Sequence, residues 1–122
     1  EQLAGINFAA YDEVLFISKS VGTAVAATYA KKYAITPGQI YYTPVVESFD
    51  AIGQTGIVFH GTADPWAETE KIKAACRQRN LPLYLTEHAD HSMETGDVEQ
   101  DLLIMRDIMQ KTAAYMDEWE KR

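Results

Sequence analysis

The chain has a single cysteine, Cys76, among 122 residues. No intramolecular disulfide can form, so a fold stapled by bridges is excluded. Long hydrophobic runs are missing too. No stretch approaches the roughly 20 apolar residues of a membrane-spanning helix. Positive charge is scarce: 11 Lys and Arg stand against 18 Asp and Glu, for a net charge of −7. That balance argues against nucleic acid as a partner, because phosphate binding needs a clustered cationic surface. The densest basic spots, Lys31-Lys32 and Arg77-Gln78-Arg79, fall near expected helix ends, where they oppose the negative end of the helix dipole. No Gly-x-Gly-x-x-Gly or other phosphate-cradling loop occurs, which leaves a nucleotide cofactor without support. With no disulfide framework and no visible leader, a cytoplasmic location is the expectation. A chain starting at Glu1 is also compatible with a leader already removed.

What is present describes one domain over residues 1–122. Apolar residues make up 47% of the chain and charged residues 24%, enough core for a soluble domain of this length. Residues 2–10 read as the tail of a helix. Apolar, β-branched runs predict strands at 13–18, 39–43, 56–60 and 82–86, the second closed by Pro44, which cannot donate to a ladder. Helices are expected at about 21–33, with glycine and alanine toward the sheet, at 67–79 and at 97–120. The 45–55 segment is a connection. Along the last helix Val98, Leu102, Met105, Met109, Thr112, Met116 and Trp119 recur by alternating fours and threes, which predicts one buried stripe. Thr95-Gly96-Asp97 supplies its capping chemistry. Strands alternating with helices imply an α/β fold, a parallel sheet with flanking helices and right-handed crossovers.

Three segments carry potential chemistry. Ser18-Lys19-Ser20-Val21-Gly22 joins the first strand to the first helix, His60-Gly61-Thr62-Ala63-Asp64-Pro65 follows the third strand, and His88-Ala89-Asp90-His91 follows the fourth. A strand, sharp turn and helix is where an exposed nucleophilic serine can sit. Each residue also has a plainer reading: Ser20 as a helix N-cap, Asp64 as an Asx-turn beside a proline, and the histidines as solvated loop residues. His88, Asp90 and His91 cluster, and His60 could join them as metal ligands. Two histidines three apart in a loop lack the i, i+4 helical geometry of a zinc site, and no cysteine is near, so no metal is expected.

Serine, acid, histidine in that chain order resembles the α/β-hydrolase superfamily, and specifically the second half of its fold. The resemblance implies Ser20 as nucleophile, Asp64 as the acid and His91 as the base. The backbone N–H of Val21 becomes one donor of the oxyanion hole. Ser18 stands where the superfamily's Gly-x-Ser-x-Gly pattern has its first glycine, and Ser18 and Gly22 should be small to let the turn close. His88 competes with His91, which is preferred because the family's histidine lies deeper in that loop with a small polar residue after it. Glu47 and Asp50 follow the preceding strand and are reserve acids.

The implied activity is hydrolysis of an ester, thioester or similar acyl bond through an acyl-enzyme, on a small acyl substrate and with no cofactor. The short 44–55 segment hints at an open site without a full lid. The superfamily places several strands before the nucleophile strand, and a loop among them supplies the second oxyanion N–H. Only about a dozen residues stand there in this chain. A fragment of a longer protein is therefore expected, or else self-association through the apolar 13–18 edge. The competing class is a non-catalytic α/β-hydrolase-like module used for binding or assembly.

Overall fold

The computed structural model describes residues 2–121. Four strands form one parallel sheet: β1 (Leu15–Lys19), β2 (Gly38–Tyr42), β3 (Ile57–Gly61) and β4 (Leu83–Thr86), in spatial order β1-β2-β3-β4. Three helices alternate with them: α1 (Val21–Lys32), α2 (Thr69–Arg79) and α3 (Val98–Glu120). The sheet order equals the chain order, so all the C-terminal strand ends, and the loops that follow them, share one edge of the domain.

The strands' period of two divides the core between the two faces. Tyr41 and Val58 point to the side covered by α1 and α2, where Ala27, Phe49, Ile52, Ile72 and Cys76 complete a buried cluster. Ile40, Ile57 and Phe59 point to the other side and meet Ile104 and Ile108 of α3. Each isoleucine removed from water there contributes about 1.5–3 kcal/mol. Polar ties fix α3 in place: Tyr42 Oη lies 2.6 Å from Thr112 Oγ1, and the Gln39 N–H donates to Tyr115 Oη at 3.2 Å. A 3-10 turn at Val46–Asp50 breaks the long connection after β2. Arg79 clamps that region, donating to the Phe49 carbonyl at 2.6 Å and the Ile52 carbonyl at 3.0 Å. A third bond, to the Ala75 carbonyl in its own helix, is the helix-end role expected of it.

The structure corrects four local expectations. Residues 2–10 are not the tail of an α-helix but two short 3-10 turns, Gln2–Gly5 and Phe8–Ala10. Their anchor is aromatic: the Phe8 ring meets Phe16 and Tyr29 edge-on at 5.9 and 6.0 Å. Of the expected stripe of α3 only Thr112 is buried, with Met116 and Trp119 half-buried. Val98, Leu102, Met105 and Met109 face solvent, because the sheet takes up the neighbouring row of Ile104, Ile108 and Thr112. Asp97 occupies the N-cap position without a side-chain cap bond. Instead Asp101 Oδ1 accepts from both the Thr95 N–H and its hydroxyl at 2.7 Å, and those bonds hold its carboxyl below the ordinary range. Finally, Ala27 and Ala30 do face inward on α1, but a Cβ at Gly22 would meet nothing within 4 Å. No described helix is long and apolar enough to cross a membrane.

Candidate active site

Ser20 is the one residue between β1 and α1, and the turn it makes is strained, with φ 54° and ψ −127°. Such a conformation costs a non-glycine residue about 1–3 kcal/mol and persists only when its surroundings impose it. They do. The Ser20 N–H donates to the Tyr42 carbonyl at 2.9 Å, and its carbonyl accepts from the Thr23 N–H at 3.1 Å and the Thr23 hydroxyl at 2.7 Å. Thr23 is fully buried and lies 2.8 Å from Ser48 Oγ, whose hydroxyl can donate to it. Although Ser20 sits at the N-cap position, its side chain makes no capping bond. The hydroxyl is committed elsewhere: Ser20 Oγ lies 2.7 Å from His91 Nε2.

Val21 is the first residue of α1. Its amide therefore belongs to the helix turn that has no i−4 carbonyl to bond, at the positive end of the helix dipole. Gly22 was expected to be small for lack of room, yet the space around it is open. Ser18 Oγ is buried with no hydrogen-bond partner.

Asp64 hangs from the turn after β3. Its side chain is 0% exposed, with Oδ2 placed 2.7 Å from His91 Nδ1. Its other oxygen accepts the Trp66 N–H at 2.8 Å. The Asx-turn is thus real, and it coexists with the histidine contact. A carboxylate only accepts, so Nδ1 carries the imidazole proton, and Nε2 is left to accept from the Ser20 hydroxyl.

The loop bearing His91 is laced to the acid turn. The Thr62 N–H donates to the Thr86 carbonyl at 3.0 Å, the Ala63 N–H to the Ala89 carbonyl at 2.9 Å, and the His88 N–H to Thr62 Oγ1 at 2.8 Å. Gly61 makes this approach possible, since a Cβ there would lie 2.3 Å from the Ala89 carbonyl oxygen. Asp90 Oδ1 accepts from the backbone of Ser92 and Glu94 at 2.9 and 3.1 Å. Lys19 Nζ reaches the His91 carbonyl at 3.2 Å.

The structure brings Ser20, His91 and Asp64 into one hydrogen-bonded row. It does not bring in His88, which is exposed with φ 66°. Glu47 and Asp50 are exposed on the 3-10 turn after β2, and the carboxylate that meets His91 is that of Asp64. Among the described residues no group of three or more His, Cys, Asp or Glu is arranged to hold a metal.

His60 enters the site's surroundings in a role the sequence reading did not assign. It is wholly buried, with Nε2 2.9 Å from Thr69 Oγ1 and Nδ1 unpartnered. Burial pushes its imidazole below the usual histidine range. The Asp64 carboxylate opposes that shift, and His91 adds to it. The β3 pattern carried the signal, because every residue of that strand is buried. The Trp66 ring lies 5.9 Å from that of His91.

No family model matches the chain, and no curated protein does. Among solved structures it is similar to an alpha-beta serine hydrolase homologue from Coxiella burnetii, with 23% identity and a TM-score of 0.59. The match covers 80% of this chain and 50% of that one, so the chain spans about half the length of that structure. The likeness is one of fold: the α/β arrangement is hydrolase-like.

Proposed function

We propose that this chain carries the reacting half of a serine hydrolase that cleaves an ester, thioester or similar acyl bond. One observation carries the reading. A serine in a strained strand-to-helix turn gives up its capping bond and meets, at 2.7 Å, an imidazole whose other nitrogen rests 2.7 Å from a buried carboxylate.

In this mechanism Ser20 Oγ attacks the carbonyl carbon while His91 Nε2 takes the hydroxyl proton. The carbonyl oxygen gains the negative charge and is met by the Val21 N–H. One such donor is worth about 10² to 10³ in turnover. The bond to the leaving group breaks as His91 returns its proton to the departing oxygen or sulfur. Water then attacks the acyl-serine with His91 as base, releasing the acid and restoring the Ser20 hydroxyl. Asp64 keeps Nδ1 protonated and stabilises the imidazolium in both steps.

The test is labelling with a fluorophosphonate, followed by mass spectrometry. The adduct is expected on Ser20 and is lost in Ser20→Ala and His91→Ala chains that remain folded. A folded, full-length protein that takes no label refutes the enzyme reading. That outcome favours the non-catalytic module, for which β1 as an open sheet edge is the supporting feature.

A further inference from the structure

Trp66 is 70% exposed yet sits on a hydrogen-bonded turn. Its N–H is bonded to Asp64 Oδ1 at 2.8 Å, Pro65 precedes it, and Ala67 after it is buried. That bond ties the Trp66 backbone to the same carboxylate that meets His91 Nδ1. Its ring centroid lies 5.9 Å from the His91 ring, with the planes inclined by 43°. A large aromatic face is held beside the imidazole and left open to solvent.

The proposed reaction, on which this inference rests, assigns that face to one end of the substrate. The acyl oxygen must turn toward the Val21 N–H, next to Ser20. The departing atom must come within hydrogen-bond reach of His91 Nε2, because that nitrogen supplies its proton. The group attached to that atom then lies beside the His91 ring and within reach of the Trp66 ring, whose centroid is 5.9 Å from it. We infer that Trp66 is a stacking platform for the leaving group, and that the preferred substrates are esters or thioesters whose alcohol or thiol part carries an aryl or similarly flat apolar group. The chemistry balances as before. The acyl carbon–oxygen or carbon–sulfur bond breaks, the acyl–Ser20 bond forms, and the departing alcohol or thiol leaves with the proton from His91.

The experiment compares phenyl acetate with ethyl acetate, which share one acyl group, in wild type, Trp66→Ala and Trp66→Phe. The ratio of kcat/KM for phenyl over ethyl is expected to fall by about tenfold in Trp66→Ala and to recover largely in Trp66→Phe. Hydrolysis of the common acetyl-enzyme is expected to stay unchanged, since the leaving group has gone by then. An unchanged ratio overturns the inference, as does a loss that follows the acyl part in methyl benzoate against methyl acetate.

A second measurement does not depend on turnover. The chain has two tryptophans, so Trp66 is the sole reporter in a Ser20→Ala/Trp119→Phe chain. Phenyl acetate should quench its emission and ethyl acetate should not; no quenching overturns the platform. Quenching by phenyl acetate with no fluorophosphonate adduct on the wild type removes the hydrolase reading and leaves an aromatic-binding site at Trp66.

Discussion

Replacing Gly61 by alanine isolates the contact that brings two loops together. The added methyl would stand 2.3 Å from the Ala89 carbonyl oxygen, 2.7 Å from its carbon and 2.8 Å from the Asp90 carbonyl oxygen. All three are backbone atoms, so no side-chain rotation relieves them. Ordinary contact begins near 3.4 Å, and the 89–91 segment must retreat by about 1 Å. His91 rides on that segment. Its 2.7 Å contact to Ser20 Oγ would stretch to about 3.7 Å, beyond hydrogen-bond reach. Misplacement of a reacting group by about 1 Å costs on the order of 10²-fold in rate, and the overpacking itself costs about 1–3 kcal/mol of stability. Fluorophosphonate labelling rates measure the first effect and urea unfolding the second. A Gly61→Ala chain that labels at the wild-type rate would refute the view that this approach sets the Ser20–His91 contact.

Three further expectations follow from other parts of the molecule. Burial lowers the His60 pKa, so the folded state disfavours its charged form. That contribution to stability is complete above the unfolded value of about 6.5 and is lost as pH falls below it, by at most about 1.4 kcal/mol per pH unit. Urea midpoints between pH 5 and 8 should therefore slope less in His60→Gln than in wild type; equal slopes exclude His60 as the source. Cys76 is buried, and desolvation pushes its thiol up to about 11 despite the opposing charge of Arg79. It should resist a thiol-specific disulfide reagent at pH 8 until urea is added; rapid reaction of the native chain contradicts this burial. The unpaired β1 edge, with Ile17 55% exposed, is proposed to drive self-association. Sedimentation at micromolar concentration should show dimers or larger species that Ile17→Lys reduces, and a monomeric wild type would count against the proposal.

Strands and turns were legible because their signals are local. Val14 to Ile17 and Gly56 to Phe59 are apolar runs that end in small or polar residues, and the observed strands β1 and β3 lie within a residue or two of the expected ones. The Ser20, Asp64 and His91 positions were legible for the same reason, each standing just past a strand. The face of α3 was not. Leu102, Leu103, Ile104 and Met105 are consecutive, so two apolar rows compete on one helix, and the spacing fits the exposed row as well as the buried one. The choice is made by Ile40, Ile57 and Phe59 across the interface, which periodicity within α3 does not contain. The need for glycine at position 61 was hidden for a related reason. Its requirement comes from the backbone of Ala89 and Asp90, nearly thirty residues away.

The Ser20–His91 contact spans 71 residues of chain and the His91–Asp64 contact 27. During synthesis the serine emerges long before the imidazole that, in the proposed mechanism, makes it reactive. Until β4 has joined the sheet and its following loop has settled on the acid turn, Ser20 is an ordinary alcohol, no more reactive than any other serine. On the proposed mechanism, late assembly is thus a safeguard built into chain order, because a half-made molecule would not be acylated at Ser20. It also makes the labelling reaction a reporter of the finished sheet, since a chain that has folded only its first three strands carries the serine and the carboxylate but stays silent.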